Sequence, residues 1–538
     1  MRPDEAGILA ANLAALSESN PALADRIQQS APSPALAFRT ARNGAAVPVL
    51  RGATGELPFH SMVDPRREAE RLLGASGDSG YLVCLGLGGG FLAAAFLRRP
   101  QASGLLIIEK DAPTLRTLLS NLPLSALLTD RRVRLTAGVE EIRDIVCSRY
   151  LPALSGDLLS LPVRPWCEAE RGFFDGAARE LRSVLEEIRA DYAAQASFGK
   201  RWFSNMIQNL PAAEAAPSAR MRGPKERSYV TAAGPSLEDH FQELADLRDG
   251  SIVFATDTSL PALLSRGLEP AVVVSLDCQV YSYHHFLAGV PSQTEVFFDL
   301  ASPPFLVRRV GARSRFFTSA HPLARFICAA WRRFPAVDTT GGNVTHAAVS
   351  LARALGIRDV RVHGADFSYP RAKPYARGTY LYDYFQGRQQ RCAPLETSLC
   401  TFVLRSAGLT IERSDNGLCY TTAMLRDYKT RFESLLGARA GSTELFVEGS
   451  PARCTWRQFL GGYAEQIRAL PDAAAPLGGY FNDLRPEQKA LWATLLPITA
   501  RVLRDTRGEA AREVCLERSR QWALDRVDRM LSSTGHGP

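Results

Sequence analysis

Lysine is nearly missing from this chain. Only six of its 64 basic residues are lysine and the rest are arginine, a bias that a GC-rich genome produces without any functional demand. Histidine and methionine are also sparse, at 8 and 6. The ten cysteines (84, 147, 167, 278, 328, 392, 400, 419, 454 and 515) form no CxxC pair and no zinc-like spacing. They are expected to be reduced, mostly buried thiols of a cytosolic protein. No long apolar run is present. The most apolar one, Tyr81 to Leu97, carries four glycines in its first ten residues and stops at Arg98-Arg99, short of the ~20 residues a membrane span needs. The opening, Met1-Arg2-Pro3-Asp4-Glu5, puts two acids where a signal peptide carries positive charge. These absences predict a soluble, cytoplasmic protein with no membrane span.

What is present is ordinary for packed cores. Of 538 residues 46% are apolar and 22% charged, which excludes disordered, collagen-like and coiled-coil chains. At roughly 100–200 residues per domain the length predicts about three units. The net charge of +8 is spread along the chain, so it implies no nucleic acid partner and is compatible with an anionic substrate.

Pattern divides the chain into residues 1–210, an N-terminal α/β domain; 211–227, a linker rich in proline, alanine and charge; 228–430, a second α/β domain; and 431–538, a C-terminal helical region. In the first, Tyr81–Leu87, Leu105–Glu109 and Val133–Leu135 read as strands, and 168–210 as helix. In the second, Tyr229–Ala232, Ser251–Ala255, Ala271–Leu276, Glu295–Phe298, Ser314–Thr318 and Val360–His363 read as strands. Helices are expected at Leu237–Leu247, Ser259–Ser265 and Val344–Leu355. Such alternation predicts a mostly parallel sheet with ligand groups at the strand ends.

Two glycine turns stand out. The first, Gly86-Leu87-Gly88-Gly89-Gly90, follows an apolar strand and enters a helix; Glu109 ends the next strand, where a carboxylate can accept a ribose hydroxyl. Either it binds a nucleotide or it is a scaffold that kept the turn. The second is Ala233-Gly234-Pro235-Ser236-Leu237, in which Gly234 permits close approach, Ser236 can cap a helix, and freed N–H groups face an anion. Alone it is only a turn. Four more polar clusters accompany it: Thr256-Asp257-Thr258, Ser275-Leu276-Asp277, Thr340-Gly341-Gly342-Asn343 and Gly364-Ala365-Asp366-Phe367. In a parallel sheet these converge on one crevice, which favours a nucleotide-using site.

These runs resemble the motility-associated factor (Maf) glycosyltransferases, whose domain is similar to 6-hydroxymethylpterin pyrophosphokinase (MptE-like). The resemblance is densest over 226–430. It extends to Leu57-Pro58-Phe59-His60-Ser61, Asp64-Pro65 and the Gly86–Gly90 turn. It implies an α/β fold with a central sialyltransferase-like domain, a Rossmann-like variant of GT-A that needs no metal for chemistry. It also implies transfer of a nonulosonic (sialic-acid-like) sugar from a CMP-activated donor to serine or threonine of flagellin, supporting motility. On that resemblance Gly234, Pro235 and Ser236 cradle the phosphate, while Thr256, Asp257 and Asp277 lie beside the nucleotide. Gly341, Gly342 and Asn343 border the cytidine or the sugar, and Asp366 borders the ribose. Tyr369, Tyr375 and Tyr380 donate to phosphate oxygens, as neutral phenols can without a bound cation.

One departure matters. The resemblance implies a histidine base beyond the Gly364–Phe367 run, yet after His363 only His536 remains. Asp383, Glu396, His346 and His363 are the candidates in its place. His284 and His285 are adjacent in sequence and read as solvated or core residues, so no metal site is expected. Two alternatives stay open. One is a diphosphotransferase using Mg²⁺ held by Asp257, Asp277 and Asp366; the other is a non-catalytic flagellin-binding motility factor. The oligomeric state is unspecified.

Overall fold

The computed structural model describes residues 3–52, 55–74, 77, 79–220, 222, 227–247, 250–414, 417–437 and 454–533. The chain falls into two compact units. One takes Met1–Gly199, Leu470–Lys489 and Leu495–Gln521; the other takes Lys200–Ala469, Ala490–Thr494 and Trp522–Pro538. The helical residues from 431 onward are therefore divided between the two. Of the expected linker, residues 211–215 continue the helix Arg171–Ala215, and 221 and 223–226 lie outside the described residues. So do 438–453 and 534–538, His536 among them. No described helix is long and apolar enough to cross a membrane. Of the ten thiols, all free, Cys84, Cys278, Cys328 and Cys515 are buried, whereas Cys147, Cys392 and Cys400 are exposed; burial is thus less general than expected.

The first unit contains two sheets. β1 (Leu36–Thr40), β2 (Ala46–Gly52) and β3 (Gly55–Pro58) form an antiparallel meander. β4 (Tyr81–Leu85), β5 (Gly104–Glu109), β6 (Val133–Ala137) and β7 (Leu158–Pro162) form a parallel sheet in the order β6-β5-β4-β7. β4 and β5 are buried at every position. A strand covered on both faces reads as a continuous apolar run, which is why these two were plain in the sequence. β7 is a half-exposed edge strand with no such run, and it was not expected.

The second unit is built on β8 (Arg227–Thr231), β9 (Ser251–Thr256), β10 (Val272–Ser275), β11 (Glu295–Asp299), β12 (Ser314–Phe317) and β13 (Asp359–His363). They are parallel throughout, in the order β12-β11-β10-β9-β8-β13. One face is covered by the helix Val344–Ala354. Its Ala347, Ala348, Leu351 and Ala352 pack on Val230, Phe254, Val272, Val274 and Phe297. The i, i+1, i+4, i+5 spacing makes one apolar stripe, and the alanines allow a close approach to the sheet. A small antiparallel sheet follows, β14 (Tyr369–Pro370), β15 (Thr410–Ser414) and β16 (Gly417–Thr421) in the order β14-β16-β15. It was not expected, because its strands are largely exposed and lack an apolar signature.

Candidate active site

The order of the large sheet fixes where a ligand can enter. The chain steps outward from β8 to β12 and then returns to β13 on the other flank of β8. The loops after β8 and β13 therefore meet at the carboxyl edge, the usual crevice of an open parallel sheet. Their contact is tight. The Gly234 amide donates to the Gly364 carbonyl at 2.8 Å, and the Ser236 amide donates to the Asp366 carboxylate at 2.9 Å. A Cβ on Gly234 would lie 2.3 Å from Asp366 Oδ2. One on Gly364, at φ +74°, would lie 2.4 Å from the Ala232 carbonyl oxygen.

This contact corrects the role expected of the second glycine turn. Pro235 has no N–H, the amides of Gly234 and Ser236 are taken as described, and that of Leu237 bonds the Gly234 carbonyl. The turn is no open anion cradle. Ser236 lies inside a 3₁₀ helix, Pro235–His240, that makes no side-chain cap, and a short α-helix, Phe241–Ala245, follows it. Asp366 sits on this turn rather than reaching out to a ribose from a separate place.

The ends of β9 and β10 carry the next groups. Asp257 is buried. Its carboxylate accepts from the Thr258 amide at 2.7 Å, the Thr258 hydroxyl at 3.1 Å and the Ser275 hydroxyl at 2.8 Å. Thr256 is buried too, but its hydroxyl donates to Ser259 Oγ at 3.1 Å, in a cluster that includes Thr231. It ties strand ends together and presents no free face. Asp277 is exposed and folds back on the Gln279 amide at 2.8 Å.

The tyrosine segment is docked on the turn. The Ala376 amide donates to the Ala233 carbonyl at 2.8 Å. Glu238 accepts from the Arg377 amide at 2.6 Å and pairs with Lys373. This pin brings the expected phenols together. Burial pushes the Tyr375 hydroxyl up to about 12, and the phenols of Tyr380 and Tyr369 and the Asp257 carboxylate push in the same direction. Those four groups therefore share one locality at the strand ends. The backbone there is strained, with Phe367, Arg371 and Ala372 at φ of 46°, 54° and 57°. Non-glycine residues in that region cost on the order of 1–3 kcal/mol each and cluster at functional sites.

The Thr340–Asn343 loop is placed differently. Asn343 caps the helix Val344–Ala354 through the His346 amide at 2.9 Å, and its Nδ2 donates to the Gly341 carbonyl at 2.9 Å. A Cβ on Gly342 would meet the Tyr428 ring at 2.8 Å, and Arg431 donates to the Thr340 carbonyl at 2.8 Å. The loop is thus held by the helix Ala423–Gly437, whose Phe432 also packs tilted against Phe367, ring centroids 5.1 Å apart. No described hydrogen bond joins Gly341, Gly342 or Asn343, expected to border the cytidine or the sugar, to the Gly234 turn.

Of the expected bases, Asp383 and Glu396 are exposed in first turns of helices. His346 is buried and bonded to Asp338 at 3.2 Å, a contact that holds the Asp338 carboxyl well below the usual range. Two histidines set aside in the sequence are the ones the fold brings to the phenols. The Tyr380 ring stacks on His284 at 5.6 Å and meets His285 edge-on at 4.9 Å. Adjacent numbering hid this, because the 3₁₀ helix Val280–Phe286 turns both rings toward one partner. Asp299 was missed as well. It ends β11 fully buried, and burial pushes its carboxyl up to about 6. The apolar strand ending in a carboxylate was the available signal, of the same form as Ser275-Leu276-Asp277.

The first glycine turn resolves as scaffold. His60 Nε2 accepts from the Gly89 amide at 2.9 Å, and a Cβ on Gly88 would strike the same ring at 2.4 Å. Glu109 is fully buried. It accepts from the Leu87 amide at 3.0 Å, the Lys110 amide at 2.8 Å and Trp166 Nε1 at 2.7 Å. The carboxylate expected to meet a ribose is spent on the turn itself.

Comparison with known proteins bears on the family and the fold. Residues 201–372 match the family described as 6-hydroxymethylpterin diphosphokinase MptE-like. An uncharacterized protein of Treponema pallidum (strain Nichols) is 31% identical over 260 residues, covering 45% of this chain and 89% of the relative. Another from the same organism is 29% identical over 147 residues, covering 26% and 68%. The solved structure of a Maf glycosyltransferase from Magnetospirillum magneticum AMB-1 superposes with a TM-score of 0.54 at 13% identity, over 98% of this chain and 95% of that one. The chain therefore belongs to the MptE-like family and carries the Maf glycosyltransferase fold.

Proposed function

We propose that this protein is a glycosyltransferase that moves a nonulosonic acid from a CMP-activated donor to serine or threonine hydroxyls of flagellin. The observation that carries the reading is the gathering of Tyr369, Tyr375, Tyr380 and Asp257 at the carboxyl edge of the sheet, beside the Gly234–Ser236 turn. Transfer breaks the bond between the anomeric carbon and a phosphate oxygen, leaving negative charge on CMP. Phenols that keep their protons are neutral donors to that charge in a water-poor site. The acceptor oxygen then bonds the anomeric carbon and loses its proton to a base. His284 and His285, flanking Tyr380, supply that position better than exposed Asp383 does. The Ser236 hydroxyl, on the turn that Asp366 braces, forms the rim that meets the donor.

A diphosphokinase needs carboxylate oxygens for Mg²⁺. Asp257 commits both oxygens to Thr258 and Ser275, and Asp366 commits Oδ2 to the Ser236 amide, which weighs against that chemistry. The test is a thermal-shift comparison of CMP, ATP and S-adenosylmethionine with and without Mg²⁺. A ligand that binds only the native state raises Tm by mass action. A Mg²⁺-independent rise with CMP that Ser236→Ala abolishes is the expected result. Preference for Mg-ATP would hand the site to diphosphate transfer, and silence toward all three would favour a binding protein.

A further inference from the structure

One cluster takes no part in this chemistry. β8 and β13 pair in register, Tyr229 opposite Arg361 and Thr231 opposite His363. Alternate residues of a strand share a face, so Tyr229, Arg361 and His363 lie on one side of the sheet. The short helical segments that follow the Gly234 turn bring His240 and Glu243 to the same side. The His240 and His363 rings stack with centroids 3.9 Å apart, and one carboxylate oxygen lies at their edges, against a nitrogen of each. Glu243 Oε2 is 3.2 Å from His240 Nδ1 and 3.4 Å from His363 Nε2. The other oxygen faces Arg361 at 3.9 Å. His363 is only 9% exposed, and its Nε2 is buried without a properly formed hydrogen bond among the described residues.

We propose that His240, Glu243 and His363 bind one divalent transition-metal ion, with zinc as the best fit. The three ligand atoms lie within 4.8 Å of one another. Two imidazoles and a carboxylate form a donor set suited to zinc or cobalt and unsuited to magnesium or calcium, which take oxygen ligands. The ion takes the place of the protons that the two histidine–carboxylate contacts otherwise require. The stacked rings must turn so that their in-plane lone pairs converge, and His240, part-exposed at the end of a 3₁₀ helix, is the residue free to do so. Water on the exposed side completes the coordination. Such an ion would clamp the segment after the Gly234 turn to the end of β13, one residue before Gly364.

The experiment titrates the full chain with Zn²⁺ against a chromophoric chelator and records the visible spectrum with Co²⁺. Wild type should bind one ion in competition with the chelator, and its Co²⁺ spectrum should lack an intense sulfur charge-transfer band. Exposed His240→Ala and Glu243→Gln should each weaken binding by about 10-fold or more, while far-UV circular dichroism stays unchanged. Buried His363→Gln should do the same if it folds, but the proposal does not depend on that variant. Equal affinity in wild type and His240→Ala, a thiolate band, or no competition with the chelator would each overturn it.

Discussion

Asp299 gives the sharpest single-residue prediction. Burial raises its carboxyl from 3.8 to about 6, so the folded state holds the proton more tightly than the unfolded state does. Its contribution to stability is therefore complete below about pH 4 and is lost as pH rises through about 6. The shift sets an upper bound of about 3 kcal/mol. Asp299→Asn should keep the bond from the Ala301 amide, raise Tm at pH 8, and flatten the Tm profile between pH 4 and 7. A profile unchanged in the variant would assign the dependence to another group. At Tyr380, replacement by phenylalanine should slow turnover more than it weakens donor binding, because a leaving-group donor acts mainly in the transition state. Steady-state kinetics separate the two, and a change confined to binding would make the phenol a ground-state contact. At this scale residue types were legible and partners were not. Tyr369, Tyr375 and Tyr380 were singled out by type, but nothing in the run around Gly234 tells that Asp366, 130 positions later, occupies the Ser236 amide.

Among elements, the loops after β8 and β13 behave as one part. Gly364→Ala puts a methyl 2.4 Å from the Ala232 carbonyl oxygen in a left-handed backbone, and should cost on the order of 2 kcal/mol or more. The expected readout is a lower Tm together with weaker nucleotide binding; a variant that melts like wild type would mean that the two loops are not coupled. The buried strands of both parallel sheets were legible because burial on both faces writes an unbroken apolar run. β7 and the β14–β16 sheet were not, since largely exposed strands leave no such pattern. The segment after Gly234 was legible as helical but not as 3₁₀, because both helix types accept the same residues over one turn.

At the level of the whole chain, two parallel sheets each carry a glycine turn, and the two turns serve different ends. The first is closed by His60 and Glu109, so S-adenosylmethionine and dinucleotides should produce no thermal shift, and His60→Ala should lower Tm without creating binding. A saturable shift with either ligand would reopen that turn as a site. Linear reading placed both parallel sheets, β7 excepted, but could not show that Leu470–Lys489 and Leu495–Gln521 join the N-terminal unit, because composition carries no record of which distant segments pack together. The pinning of the tyrosine segment by Glu238 and Ala233 bears on how fast the site fills. On the function proposed above, a segment pinned in this way predicts that donor capture is a docking event without a slow closing step. Its observed rate should climb in proportion to donor concentration instead of levelling off.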